Sequence, residues 1–180
     1  MSHKNFAVAS TLIALVFAAL TWAQAPQDKS RRPSPPGTAD CTIKGKKVTI
    51  SYSRPSVKGR KVMGDLVPYG QVWRTGANEA TTLTTGIDLN IGGAKVPAGT
   101  YTLYTLPSEG TWKLIINKQT GQWGTEYNQD QDLSRVDMTK SELVVAVEQF
   151  TISLDQDSND SADLILEWEH TRLTVVVKAG

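Results

Sequence analysis

The sequence predicts an all-β protein: an antiparallel β-sandwich or jelly-roll-like domain that follows a signal peptide and a flexible linker. Three observations support this prediction. Apolar and polar residues alternate in most runs after residue 41, which is the period of a strand with one buried face. Clusters of Gly, Pro, Asp and Asn separate these runs at hairpin-length intervals. No later segment keeps an apolar stripe of helical period over three turns, so long helices are not expected.

The leader, residues 1–23, is predicted to be a signal peptide. A polar start carrying Lys4 precedes an apolar run over residues 6–20. This run of about 15 residues is shorter than the roughly 20 that a membrane-spanning helix needs. Small side chains allow cleavage after Ala23 or Ala25. We therefore expect an exported protein, periplasmic or secreted, with no stable membrane anchor after cleavage; an uncleaved anchor is the alternative.

Residues 24–40 are predicted to form a disordered, Pro-rich linker. The stretch reads QAPQDKSRRPSPPGTAD and contains almost no large apolar side chain. Such a composition buries too little surface to offset the entropy that ordering would cost. The remainder, residues 41–180, is predicted to be a single β-sandwich domain.

The strand pattern of this domain begins with Val48, Ile50 and Tyr52 alternating with small polar residues. The last two predicted strands are expected to pair as a closing hairpin around a turn at 170–171. Helix is expected only as short turns, within 57–69. Eight or nine short strands are enough for a two-layer core. The further runs that predict strands are 81–85, 87–91, 100–106, 111–117, 134–140, 143–154, 163–168 and 172–178.

Charge and cysteine content exclude several classes of protein. The chain has 19 Lys and Arg against 18 Asp and Glu, and loss of Lys4 with the leader makes these numbers equal. A nucleic-acid partner is therefore not expected, because binding to a polyanion requires a basic surplus. Cys41 is the only cysteine, so no disulfide can form within the chain. It is either buried near the first strand or a reactive thiol.

Several stretches of the domain match a known family pattern. The longest is residues 64–81, GDLVPYGQVWRTGANEAT; others are GTYTLYTLP at 99–107, WKLIIN at 112–117 and LEWE at 166–169. From about Cys41 to the C-terminus, the chain resembles a bacterial family of exported proteins catalogued as domain of unknown function 2911. The resemblance implies an exported β-protein. It carries over no catalytic residue, because no reaction is established for that family.

The segment 69–79 is the least regular part of the domain and the first candidate site. It holds Tyr69, Trp73, Arg74, Asn78 and Glu79 among glycine and proline positions. Irregular backbone with such side chains is typical of binding sites on a rigid sheet. Arg74 can fork onto a carboxylate or phosphate, and Glu79 can accept hydroxyls or act as a base. Alternatively, Arg74 and Glu79 pair with each other and Asn78 caps the turn, which would be a purely structural role.

Trp123 and Tyr127 are the second candidate group. They lie in a polar loop, residues 119–131, so we expect them near a surface cleft, whereas most other aromatic rings occupy alternating strand positions and belong to the core. No metal site and no cofactor are predicted, because His170 is the only histidine after the leader. The acidic stretch 155–160 lacks the glycine and glutamate of a calcium loop and is interpreted as a solvated turn.

Three functions follow from these residues. The leading hypothesis is a non-catalytic cell-envelope module that binds a small polar or carbohydrate-like ligand through Arg74, Asn78, Glu79 and nearby rings. The second is a glycoside-type hydrolase that uses Glu79 with another carboxylate, such as Glu148 or Glu167. The third is a structural protein that assembles through an exposed edge strand. The sequence favours a protein without enzymatic activity and does not predict its oligomeric state.

Overall fold

The computed structural model describes residues 28–180 and confirms the all-β, antiparallel class. Nine strands carry the fold, and every pairing between them is antiparallel. Two single 3-10 turns, at Lys29–Arg31 and Gln129–Gln131, are the helical elements of these residues; the segment 57–69 has none. The strands are β1 (Pro36–Ile43), β2 (Lys46–Ser53), β3 (Thr82–Thr85), β4 (Leu89–Ile91), β5 (Ala94–Val96), β6 (Gly99–Leu106), β7 (Trp112–Asn117), β8 (Asp132–Gln156) and β9 (Ser161–Ala179).

The strands follow one order, β1-β2-β3-β6-β7-β8-β9-β4-β5, and the long strand β8 joins its two halves. Residues 132–138 of β8 pair with β7, whereas residues 139–156 pair with β9. The first half folds over the second, since the Tyr52 hydroxyl of β2 donates to the Ile152 carbonyl of β8 and accepts from its N–H, at 3.2 and 2.9 Å. Apolar side chains from both halves form the core.

The core sits on one face of the β6–β7 pair, and a second, smaller layer covers the other face. Tyr101 and Leu103 belong to the core, whereas Thr102 and Tyr104 point the other way and are still buried. The loop 118–131 covers them: Thr102 donates to the Gln119 carbonyl at 2.7 Å and Tyr104 to the Glu126 carbonyl at 2.8 Å. This loop therefore packs on the sheet instead of projecting into solvent.

Strands β8 and β9 are each continuous where the sequence predicted two strands. The prediction of a closing hairpin with its turn at 170–171 is therefore wrong. The hairpin that closes the fold joins β8 to β9 through residues 157–160. The apolar alternation changes phase between Trp168 and Leu173 because Glu169 has a φ of 51° at a register shift. A bulge of this kind turns successive side chains to the opposite face, as a turn would.

The N-terminal boundary also differs from the sequence prediction. Within the stretch 24–40 that was predicted to be a disordered linker, strand β1 already begins at Pro36, and its residues alternate between exposed and buried. The backbone hydrogen bonds to β2 provide the stabilisation that the composition does not suggest. The predicted signal peptide, residues 1–23, both cleavage points and residues 24–27 lie outside the described residues. Within residues 28–180, no helix has the length and apolar character needed to cross a membrane.

Candidate ligand-binding site

Trp73 fixes the start of the irregular segment to the sheet. Its backbone exchanges two hydrogen bonds with Thr105 of β6, at 2.8 and 3.0 Å. Its ring stacks on Trp168 of β9, with centroids 5.8 Å apart and planes at 17°, and meets the edge of Phe150 at 5.1 Å. The segment is therefore anchored by both backbone and side chain at the border of the core.

The next residues hold a strained backbone. Thr75 is fully buried and has a φ of 53°, and Asn78 has a φ of 60°. A β-branched residue at positive φ is a genuine outlier, which persists only when its surroundings fix it. Here the Thr81 hydroxyl donates to the Thr75 carbonyl at 2.7 Å, and the Thr75 hydroxyl donates to Thr105 Oγ1 at 3.2 Å. These bonds fix the backbone from which the side chains of Arg74, Asn78 and Glu79 project.

Arg74, which precedes the strained residue Thr75, contacts Gly76 and Gly124. Its Nε donates to the Gly76 carbonyl at 3.3 Å. Its stem lies against the backbone of Gly124, where an added Cβ would come within 2.9 Å of Arg74 Cδ. Among residues 28–180, neither terminal guanidinium nitrogen has a hydrogen-bond or ion-pair partner. The side chain is thus positioned by its stem while its charged end stays available.

A cavity of about 350 Å³ is lined in part by Arg74, and we call it the Arg74 cavity. Its lining includes Arg60 and the partly exposed rings of Trp73 and Tyr127, whereas Tyr104 and Trp168 lie behind it almost fully buried. No Asp, Glu, His or Cys of the described chain lines it. The lining includes Ser34, Arg60, Trp73, Arg74, Tyr104, Thr125, Tyr127 and Trp168.

Tyr127 is held in this wall by a polar triad. Its hydroxyl donates to Asp132 Oδ2 at 2.7 Å and accepts from Arg135 Nη2 at 2.7 Å, while Arg135 also bonds Asp132. The ring meets Tyr104 edge to face at 4.9 Å. Burial, with the Asp132 carboxylate, raises the pKa of Tyr127 to about 12. Tyr127 therefore remains a neutral phenol and contributes its ring to the cavity.

Glu79 and Asn78 lie outside the Arg74 cavity and contact the N-terminal segment that precedes β1. The Glu79 carboxylate pairs with Lys29 at 2.8 Å and with Arg32 at 2.9 Å, and Asn78 donates to the Ser34 carbonyl at 3.1 Å. The hydrogen bond from Lys29, with a further one from Arg32, lowers the pKa of Glu79 to about 2. The pairing of Arg74 with Glu79 that the sequence suggested is not formed.

The two remaining candidate residues lie outside the Arg74 cavity lining. Tyr69 packs at the border of the core, with its ring 3.3 Å from where a Cβ on Gly64 would be. Trp123 is 45 % exposed, and its backbone bridges Glu79. The structure therefore brings Trp73, Arg74 and Tyr127 to one cavity and leaves Tyr69, Asn78, Glu79 and Trp123 elsewhere.

Sequence reasoning did not single out Arg60, Tyr104, Thr125 and Trp168 as site residues. Tyr104 and Trp168 occupy alternating strand positions, which is the signature of the core. Arg60 belongs to a basic cluster that resembles a solvated strand end. In the structure its side chain folds back, with Nη2 donating to the Ser56 carbonyl at 2.6 Å. Only Thr125 had a usable signal, its place between Trp123 and Tyr127 in a polar loop.

Comparison of the sequence with known proteins shows the family to which the chain belongs. A family model described as protein of unknown function (DUF2911) matches residues 34–177. The chain belongs to this family. No curated protein and no solved structure matches it. The match confirms the resemblance carried by residues 64–81 and includes every residue of the Arg74 cavity; the family description names no reaction.

The described part of the chain offers little for metal binding. Among residues 28–180, no three His, Cys, Asp or Glu side chains gather into a group that could hold a metal ion. His170 Nδ1 is 2.8 Å from the carbonyl oxygen of Leu143, and Cys41 is buried in β1. The polar chemistry of the site therefore rests on guanidinium, hydroxyl and backbone groups.

Proposed function

We propose that this chain is a non-catalytic binding module of the cell envelope, which takes a small polar ligand into the Arg74 cavity. The observation that carries the proposal is the Arg74 guanidinium, held by its stem beside a cavity of about 350 Å³ with its terminal nitrogens unpartnered among residues 28–180. Small-molecule sites are typically clefts of this size with a few placed polar groups. A guanidinium offers a fork of donors to an oxyanion or to several hydroxyls.

The placement of Glu79 supports binding over hydrolysis. A glycosidase needs two carboxyl groups beside one cleft, and one of them must be protonated to act as an acid. Glu79 lies outside the Arg74 cavity, and its pKa of about 2 keeps it ionised. We therefore assign Glu79 to the attachment of the N-terminal segment.

Export is the second part of the proposal and rests on residues 1–25. The location can be tested by mass spectrometry of the protein recovered from each cell fraction. We expect a product that begins at Gln24 or Pro26 outside the cytoplasm. A cytosolic product that still carries Met1 and the full apolar run would contradict it.

The binding proposal can be tested by calorimetry on the purified protein with a panel of small anions and sugars. We expect at least one probe to bind, with Arg74→Ala reducing its affinity by about tenfold or more, since a hydrogen bond to a charged group contributes that much. The matched control is Arg172→Ala, which removes a guanidinium paired with Glu167 outside the cavity. Binding that Arg74→Ala leaves unchanged, or no binding by any probe, would contradict the proposal.

A further inference from the structure

The charge of the Arg74 cavity has one sign. Arg60 and Arg74 both line it, and none of its described lining residues carries a carboxylate. The Nε of Arg74 is used by the Gly76 carbonyl, which leaves the two terminal nitrogens directed at neither a carboxylate nor a carbonyl among residues 28–180. Positive side chains that line a cavity raise the local concentration of anions. The charged part of a ligand is therefore expected to be an oxyanion.

The aromatic walls contribute ring surface, because their polar atoms are already bonded. The Tyr104 hydroxyl donates to the Glu126 carbonyl at 2.8 Å and accepts from Gln122 Nε2 at 3.1 Å. The Tyr127 hydroxyl is engaged by Asp132 and Arg135.

Trp168 is bonded in the same way. Its indole N–H donates to the Glu148 carbonyl at 3.2 Å. Tyr104 and Trp168 are almost fully buried, so the ring surface open to a ligand comes from Tyr127 and Trp73, the two partly exposed aromatic residues of the lining. These two rings favour a flat apolar body packed against them.

The lining offers few acceptors for neutral hydroxyl groups. Recognition of a neutral sugar requires acceptors for its hydroxyl hydrogens, which Asp, Glu, Asn and Gln side chains commonly supply. None of these four residue types lines the cavity in the described chain; the uncommitted side-chain oxygens are the hydroxyls of Ser34 and Thr125. The cavity is therefore poorly matched to a neutral sugar and well matched to an anion.

From these three features we propose that the Arg74 cavity selects a small organic anion: a carboxylate or phosphate group attached to a flat apolar body. This inference rests on the proposed function and narrows its ligand class. The oxyanion accepts from the terminal nitrogens of Arg74 in a forked geometry. The body lies against the partly exposed rings of Tyr127 and Trp73.

The test is calorimetry on the purified protein with probes that separate charge from ring. Benzoate and phenyl phosphate carry both features, acetate and inorganic phosphate carry charge alone, and benzamide carries the ring without charge. Glucose represents neutral sugars. We expect one of the two ring-bearing anions to bind about tenfold or more tightly than its ringless counterpart and than benzamide. Which of them binds identifies the oxyanion.

The variants assign that binding to the cavity. Arg74→Ala should abolish it, and Arg74→Lys should recover only part of it, because an ammonium cannot form the forked pair. Arg172→Ala should have no effect. Benzamide binding as tightly as benzoate would overturn the inference.

Two further outcomes separate the inference from the proposed function. Arg74-dependent binding of glucose alone would overturn the anion class and leave the binding function standing. No binding by any probe would overturn both.

Discussion

Arg74 and Glu79 lie five positions apart in the same segment and have different surroundings. Arg74 faces a cavity lined by aromatic rings, and Glu79 holds Lys29 and Arg32. The sequence identified the segment because it concentrates aromatic, charged and amide side chains and interrupts the alternation of apolar and polar residues. It could not assign directions, because positive φ values at Thr75 and Asn78 rotate the side chains in a way that no periodicity encodes. Secondary-structure propensities apply to regular backbone, so they do not predict the strained conformations of Thr75 and Asn78.

The Glu79 carboxylate makes a prediction for stability at low pH. Its pKa in the folded protein, about 2, is below its ordinary value of 4.5, so its contribution is fully present above pH 4.5 and is lost as the pH falls towards 2. Glu79→Gln should lower the free energy of unfolding at pH 7 by about 1 kcal/mol or less, since the carboxylate is partly exposed.

The measurement is urea denaturation of both proteins at several pH values. The difference between wild type and Glu79→Gln should shrink between pH 4.5 and 2. Glu142→Gln is the matched control, because Glu142 is exposed and has no ion pair among residues 28–180. A difference that stays constant across this range would contradict the ion-pair account.

At the scale of elements, the alternation of apolar residues predicted most strands well. The runs 100–106 and 111–117 agree with β6 and β7 to within one residue at each end. The same rule divided β8 and β9, because a phase change in the alternation marks a bulge as well as a turn. Strand β1 was not predicted for another reason: the proline-rich composition of residues 24–40 indicates a linker, whereas pairing with β2 determines the structure from Pro36 onward.

The N-terminal segment, residues 28–35, gives an element-scale prediction. It is attached by the Glu79 ion pairs, by Asn78 to Ser34, and by the Arg54 N–H donating to the Pro35 carbonyl at 2.8 Å. Glu79→Gln should loosen it and speed tryptic cleavage after Arg31 several-fold, because proteolysis samples locally opened backbone.

Cleavage at this bond can be followed by mass spectrometry over time. Glu142→Gln is again the control and should be cut at the wild-type rate. Equal rates in all three proteins would show that the ion pairs do not hold the segment in place.

At the scale of the whole molecule, β8 passes from one half of the fold to the other, so both halves share a core. Leu166 of β9 is 2 % exposed within that core. Val144, on the bulge of β8, is 97 % exposed. Which apolar residues of β8 are buried could not be predicted, since the bulge shifts the register between Glu142 and Val147.

These two residues give a matched pair of variants, one in the core and one on the surface. Leu166→Ala should lower the free energy of unfolding by about 2–5 kcal/mol, because it removes buried side-chain volume and leaves a cavity. Val144→Ala should change it by about 0.5 kcal/mol or less. Urea denaturation measures both. Similar losses for the two variants would contradict the arrangement of the core.

The division of the 73–79 segment into residues that line the cavity and residues that hold the N-terminal segment can be observed directly in an amide NMR titration of the labelled protein. The ligand is whichever of benzoate and phenyl phosphate binds in the calorimetry. The account predicts that the largest shift changes occur at Trp73, Arg74, Gly124 and Tyr127, with little change at Lys29, Arg32 and Glu79. Changes centred on Glu79 and the N-terminal segment would contradict it.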